Sequence, residues 1–256
     1  MDMERKCLEI CCGSAGDAIA AFTAGADRVE LNSCLFFGGL TPTLGTLEEV
    51  LDKAPGKPVM AMVRPRAGGF CYDKTEFSVA CREGEALLRK GAAGLVFGFL
   101  REDGTPDSAR IRVFTEMTRS YGRESVFHRA VDVVPDWRKT LDVLMEQGVT
   151  RVLTSGQVPT ALEGAACIRH MREYAAGRIE ILPGAGIRLH NLQEVLRLTG
   201  CRQVHMSAHS SFEDCSAQNT RGIAFSGNVL PSESQVKRVD TALVRALVET
   251  LQKKDR

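Results

Sequence analysis

Seven times along the chain a glycine is followed by a short polar turn and then by an apolar run. The seven segments are Gly25-A-D-R-V-E-L, Gly56-K-P-V-M-A-M, Gly91-A-A-G-L-V-F, Gly122-R-E-S-V-F-H, Gly148-V-T-R-V-L-T, Gly177-R-I-E-I-L-P and Gly200-C-R-Q-V-H-M. Glycine suits the left-handed position that ends a helix, so each segment predicts a helix-to-strand joint. With a first strand at Cys7–Cys11, seven joints imply eight strands. The stretches between them carry the mixed apolar and charged texture of amphipathic helices: Asp17–Ala24, Leu44–Ala54, Lys74–Lys90, Asp107–Tyr121, Asp136–Gln147, Thr160–Ala175, Asn191–Thr199 and Gln235–Leu251. Strands and helices alternating at joint spacings of 23 to 35 residues predict an α/β fold, a (β/α)₈ TIM barrel. An open doubly wound sheet would place G-x-G-x-x-G after its first strand, and Cys12-Gly13-Ser14-Ala15-Gly16 does not match. The last unit is the least regular, because Ser207–Ser234 reads as a long polar loop before the final helix.

Composition narrows the setting. A chain of 256 residues that is 44% hydrophobic fills one large core, so residues 1–256 are expected to form a single domain. The balance of 33 Lys+Arg against 32 Asp+Glu gives a net charge of +1, which offers no global field for nucleic acid or anionic membrane. The basic run Lys253-Lys254 with Arg256 reads as a solvated helix end. No apolar segment approaches the length of a membrane span, and Met1–Ile10 is too charged for a secretory leader, so a cytoplasmic protein is expected. Nine cysteines, odd in number and without a C-x-x-C pair, argue against a disulfide framework or a structural zinc site.

In a barrel, chemistry belongs at the C-terminal strand ends. The two-residue strand period places Glu9 with Cys11, Glu30 with Asn32, and Met60 with Met62 and Arg64. The fifth strand leads into F-H-R-A-V-D, offering His128 and Asp132, and the eighth is expected to carry His205, Ser207 and His209 on one face. Glu9, Glu30, His128 and His205 are therefore catalytic candidates for acid/base work, with Arg64 and Arg66 holding a carboxylate or phosphate. The bland alternatives are a satisfied core histidine and an internal ion-pair network that plugs the barrel. Ser155, Gly184 and Gly186, in S-G and P-G-A-G-I turns after strands six and seven, are candidates for a phosphate cradle. Cys11, Cys12, Cys34 and the histidines also supply donors appropriate to Cu(I).

Several of these stretches together resemble the CutC family, named for copper homeostasis. They are L-E-I-C at Leu8–Cys11, G-A-D-R-V-E-L at Gly25–Leu31, G-G-L-T-P-T at Gly38–Thr43, V-R-P-R at Val63–Arg66, G-L-V-F-G at Gly94–Gly98, F-H-R-A-V-D at Phe127–Asp132, L-T-S-G at Leu153–Gly156, A-L-E-G at Ala161–Gly164, P-G-A-G-I at Pro183–Ile187 and H-M-S-A at His205–Ala208. The resemblance implies a cytosolic TIM-like barrel, associated as a homodimer or larger homo-oligomer, that binds copper. Asn32 stands where the family commonly has cysteine, so a two-thiolate Cu(I) site would join Cys11 to Cys34 or Cys12. His209 stands where arginine is common, and Ala185 where glycine is common. The other reading left by the residues is a metal-independent enzyme doing acid/base chemistry on a small phosphorylated or carboxylated metabolite.

Overall fold

All seven joint glycines, Gly25, Gly56, Gly91, Gly122, Gly148, Gly177 and Gly200, adopt positive φ in the computed structural model, which describes residues 6–217 and 234–252. Gly91 illustrates the joint: at φ 107° it ends helix α3 (Lys74–Lys90), and its amide and that of Ala92 bond back to the carbonyls of Leu88 and Leu87. The chain then turns directly into strand β4 (Gly94–Phe97). The other barrel strands are β1 (Cys7–Cys12), β2 (Arg28–Leu31), β3 (Val59–Met62), β5 (Glu124–Phe127), β6 (Arg151–Thr154), β7 (Glu180–Pro183) and β8 (Gln203–Met206). Their order is β7-β6-β5-β4-β3-β2-β1-β8, every pair parallel, and the end strands β7 and β8 lie against one another to bring the barrel nearly to closure.

The other helices are α1 (Ala15–Thr23), α2 (Leu44–Lys53), α4 (Ser108–Ser120), α5 (Trp137–Glu146), α6 (Ala165–Ala175), α7 (Leu192–Thr199) and α8 (Thr241–Gln252). Several begin where a short polar side chain accepts a first-turn amide: Ser14, Thr43, Asp107 and Asp136, with Asp73 and Glu76 forming a reciprocal capping box. Among the described residues no helix is long and apolar enough to cross a membrane.

Alternation along each strand sorts side chains into two cores. Leu8, Ile10, Val29, Leu31, Phe97 and Phe127 face outward into the core shared with the helices, whereas Met60, Met62, Val96 and Val126 form a separate cluster inside the barrel. The inside is filled by setting large residues against glycine: Met60 occupies the space a Cβ would need at Gly94, His128 that at Gly98, and Leu153 that at Gly184.

Four expectations are corrected here. The segment Gln235–Leu251 is not helical throughout. Gln235–Val239 forms strand β10, antiparallel to β9 (His209–Glu213), and Asp240 then caps α8 by accepting the amides of Ala242 and Leu243. His209 is consequently not on the eighth barrel strand, which stops at Met206, but opens this hairpin. The Thr160–Ala175 helix starts only at Ala165, because Gly164 packs against the Ser155 backbone so closely that a Cβ there would lie 2.0 Å from the carbonyl oxygen. The loop expected over Ser207–Ser234 thus contains β9, and its 218–233 part, like the basic residues Lys253, Lys254 and Arg256, lies outside the described residues.

The inner packing makes a direct prediction. Gly98→Ala places a methyl 2.2 Å from His128 Cε1 and 2.8 Å from Ala130 Cβ. Neither neighbour is a flexible side-chain end, so the variant should lose about 1–3 kcal/mol or more in chemical denaturation. Gly45→Ala, in α2 with nothing within 4 Å of the new methyl, should instead gain roughly 0.5–1 kcal/mol.

Candidate functional site

The N-terminal floor of the barrel is an ion network built from strand-opening residues. Arg28 binds Glu9 through Nε and donates from Nη2 to Gln203 Oε1 at 2.9 Å, and Gln203 Nε2 donates to Glu180 Oε2 at 3.1 Å. Arg151 then joins Glu180 and Glu124 at 2.7 and 2.8 Å. Arg28 and Arg151 are both buried, so each needs its carboxylates, and the network closes the barrel from below.

Register carries this network upward. Glu9 is the Cα partner of Arg28 on one side and His205 on the other, and Cys11 is the partner of Glu30 one step higher. Glu9 Oε1 lies 2.7 Å from His205 Nδ1 while Arg28 holds Oε2. Above it, Cys11 Sγ, a Glu30 carboxylate oxygen and a His205 ring nitrogen all lie within 4.8 Å of one another. Asn32 Nδ2 donates to Glu30 Oε1 at 3.0 Å and to Cys11 Sγ at 3.6 Å, while Glu30 Oε2 is buried with no hydrogen-bond partner. Gly39 fixes the Asn32 amide, since a Cβ there would sit 2.4 Å from Asn32 Oδ1.

The two glutamates respond oppositely to burial. Burial alone would raise Glu9, but Arg28 and His205 outweigh it and hold the carboxyl down at about 2. Glu30 is raised, chiefly by burial and then by the charge of Glu9, although His205 and Asn32 oppose the rise. For His205, burial favours the neutral ring, yet Glu30, Cys11 and Glu9 together keep its imidazole charged well above the ordinary histidine range. Burial pushes the Cys11 thiol up to about 11. The pocket thus holds a fixed carboxylate, a paired imidazole, a protonated thiol and a carboxyl with one free oxygen, a set able to move protons or to surrender them to a metal ion.

The remaining candidates have other partners. Arg64 donates to the carbonyls of Phe37, Gly39 and Gly68 at 2.7, 3.0 and 2.7 Å and stacks over Phe70, tying the β2–α2 and β3–α3 loops over the mouth. Arg66 is paired with Glu76, donates to the carbonyls of Ala67, Gly69 and Cys71, and lies over Tyr72. His128 accepts the Ala130 amide at Nδ1 and packs 4.7 Å from Phe70; its Nε2 has no partner, and burial with Arg64 nearby lowers its pKa to about 3, so the ring is neutral. Ser155 is buried among Asp132, Arg129 and the Val158 carbonyl, and Asp132 also accepts from Thr154 and from the Ser155 and Gln157 amides. Gly184 donates its amide to the Thr154 carbonyl, and Gly186 packs against Thr160. Ala185 between them takes the left-handed conformation at φ 74°.

Of the thiols, only Cys11 joins the group. Cys34 is exposed with a left-handed backbone ahead of a 3-10 turn (Leu35–Phe37), and Cys12 points outward and donates to the Ile10 carbonyl. Of the partners expected for Cys11, namely Cys12, Cys34 or a histidine, the fold brings a histidine, His205, beside it together with Glu30, and does not bring Cys34. Sequence reasoning missed Arg28, although it lies two residues before Glu30 and so on the same strand face.

Comparison with known proteins places these residues in context. The CutC family model matches residues 6–210. A CutC family protein of Treponema denticola is 49% identical over 230 residues, covering 90% of this chain and 92% of its own. The human protein named copper homeostasis protein cutC homolog is 38% identical over 240 residues, covering 94% of this chain and 87% of its own. The crystal structure of a copper homeostasis protein CutC from Streptococcus agalactiae superposes with TM-score 0.73 at 32% identity, over 78% of this chain and 97% of that one.

The charge pairing at Glu9 sets an acid limb of stability. A carboxyl lowered to about 2 contributes fully above the ordinary glutamate value of 4.5, and that contribution disappears as pH falls through about 2. Glu9→Gln should abolish this limb in denaturation curves recorded from neutral to strongly acid pH. It should also cost about 3–5 kcal/mol at neutral pH, because Arg28 is left buried without its carboxylate, and Glu9→Gln/Arg28→Met should recover much of the loss.

Proposed function

The chain belongs to the CutC family, and from that premise we propose that it serves copper homeostasis by binding Cu(I) through Cys11 and His205, with Glu30 alongside. The observation that carries this reading is the convergence of thiol, imidazole and carboxyl donors within 4.8 Å. Thiolate is the soft donor that selects Cu(I), and imidazole suits copper as well. Glu9 supports the assignment: a carboxylate accepting from His205 Nδ1 orients the ring so that Nε2 is offered to the ion. Asn32 donates to both Cys11 and Glu30, favouring the charged forms that a cation would bind.

We place this activity in the cytoplasm, which fits nine free cysteines, and in a homodimer or larger homo-oligomer, for which light scattering on the full chain is the test. A second reading is metal-independent acid/base chemistry on a small carboxylated or phosphorylated metabolite. The Glu30 carboxyl, buried beside His205 with one oxygen unpartnered, favours it, because burial raises Glu30 toward proton exchange while Glu9 stays charged against Arg28. Metabolite-induced thermal stabilisation that survives a chelator and is lost in Glu30→Gln would support the enzyme reading over copper binding.

Anaerobic competition against a Cu(I) chelator tests the copper assignment. Cys11→Ser should weaken binding beyond the factor of about 10–100 that Glu9→Gln, which removes only an orienting partner, is expected to cost. Because Cu(I) must displace the thiol proton, and a second proton from His205, affinity should rise with pH, on the order of two log units per pH unit near neutrality. Unchanged affinity in Cys11→Ser, or no competition by the parent chain, overturns the assignment.

A further inference from the structure

A second constellation of acid, base and hydroxyl lies away from the barrel axis, where β8 gives way to the β9–β10 hairpin beside the first turn of α1. Ser207 Oγ is 2.7 Å from His209 Nδ1, and His209 Nε2 is 4.0 Å from Asp17 Oδ2. Ser207 is exposed, whereas the His209 side chain is only 7% exposed and its Nε2 has no hydrogen-bond partner. Asp17 is fixed from both sides: Oδ2 accepts the Gly13 amide at 3.2 Å, and Oδ1 accepts the Val239 amide at 2.7 Å. Val239 is the register partner of His209, so one carboxylate ties α1 to the hairpin and faces the imidazole that the hairpin carries.

These three residues line one cavity of about 1070 Å³. Leu35 and Phe36 supply an apolar wall, and Lys237 and Arg238 supply cationic groups. Gly16 brings the first turn of α1 to the same cavity; Ser14 Oγ takes the Asp17 amide there, and the Gly16 amide has no intrahelical acceptor. We propose that this cavity is an acyl-transfer site in which Ser207 is the nucleophile, His209 its general base and Asp17 the positioning residue, acting on small esters that carry a carboxylate or phosphate.

The roles follow from the contacts. With Nε2–H turned toward Asp17, Nδ1 carries the free lone pair and accepts the Ser207 proton. Burial lowers the His209 pKa, with Asp17 opposing, so the ring stands ready as a base. The 4.0 Å separation of base and acid is the looseness common to unliganded sites. Ser207 Oγ forms a bond to the ester carbonyl carbon as its proton passes to His209 Nδ1, and the Gly16 amide at the start of α1 receives the developing oxyanion. Collapse breaks the ester C–O bond, and His209 returns the proton to the departing alkoxide. A water molecule then repeats the sequence on the acyl-serine, giving one acid and one alcohol for each ester and water consumed. The site shares no residue with the Cys11 group, so it stands or falls separately from copper binding.

The test uses the full chain with mono-p-nitrophenyl succinate as the anionic probe and p-nitrophenyl acetate as the neutral one. Expected are a burst of nitrophenolate, faster turnover of the succinate ester, and fluorophosphonate labelling that maps to Ser207 by peptide mass spectrometry. Ser207→Ala, an exposed position where folding should persist, loses burst and label, and His209→Gln lowers kcat by about 100-fold or more. Asp17→Asn should lower kcat with KM unchanged, a split that mere loosening of the hairpin would not produce. Lys237→Met/Arg238→Met should raise KM for the succinate ester alone. Release no faster than buffer with no label on Ser207, or full activity in Ser207→Ala, overturns the proposal. Equal turnover of the two esters overturns the assigned anion preference.

Discussion

A carboxylate on the axis of a barrel is tolerable only if its charge is balanced there, and the balance around Glu9 organises the rest of the site. Arg28 takes one oxygen and His205 the other. Removing either partner would leave a buried charge uncompensated, at a cost of about 3–5 kcal/mol. The balance also has direction. Below Glu9, Arg28 leads into the Gln203, Glu180 and Arg151 floor, whose role is to close the barrel; above it, His205 leads to Cys11 and Glu30, where an oxygen remains without a partner. The ion network and the group of titratable side chains above it are therefore continuous, and they meet at Glu9.

The rim works differently. Arg64 and Arg66 are the residue type that binds anions, but here Arg64 is directed at backbone carbonyls of the loops around it, and Arg66 divides its fork between the Glu76 carboxylate and loop carbonyls. Each such bond satisfies an acceptor that a loop over a barrel mouth would otherwise leave unpaired. The neutral His128 beside Arg64 follows from burial first and from the repulsion a second cation would meet there, so the ring stays uncharged and packs tilted against Phe70.

The legibility of this architecture in the chain tracks the range of the interactions involved. Joint glycines and strand alternation are local, and they led to eight strands, to Cys11 sharing a face with Glu9, and to His205 at a strand end. Arg28 obeys the same two-residue period and was legible in principle. Partnerships set by loop geometry were not: no periodicity announces that the Phe37 and Gly68 carbonyls will meet Arg64, or that Asp132 will collect the backbone after β6. His209 was misplaced because V-H-M-S-A-H continues a strand pattern locally, whereas its actual partner, Val239, is far along the chain.

The same distinction explains why Asn32 changes the site without dismantling it. A second thiolate at that position would give Cys11 a soft partner, whereas the amide gives it a hydrogen-bond donor and also grips Glu30. The group that results is mixed, one sulfur, one nitrogen and one oxygen, and it holds protons on Cys11 and His205. On the proposed copper reading, a cation entering this group would displace those protons, which ties occupancy to pH. Glu9 cannot relieve that coupling, because its own charge is already committed to Arg28; the carboxyl still free to respond is Glu30, one register step above.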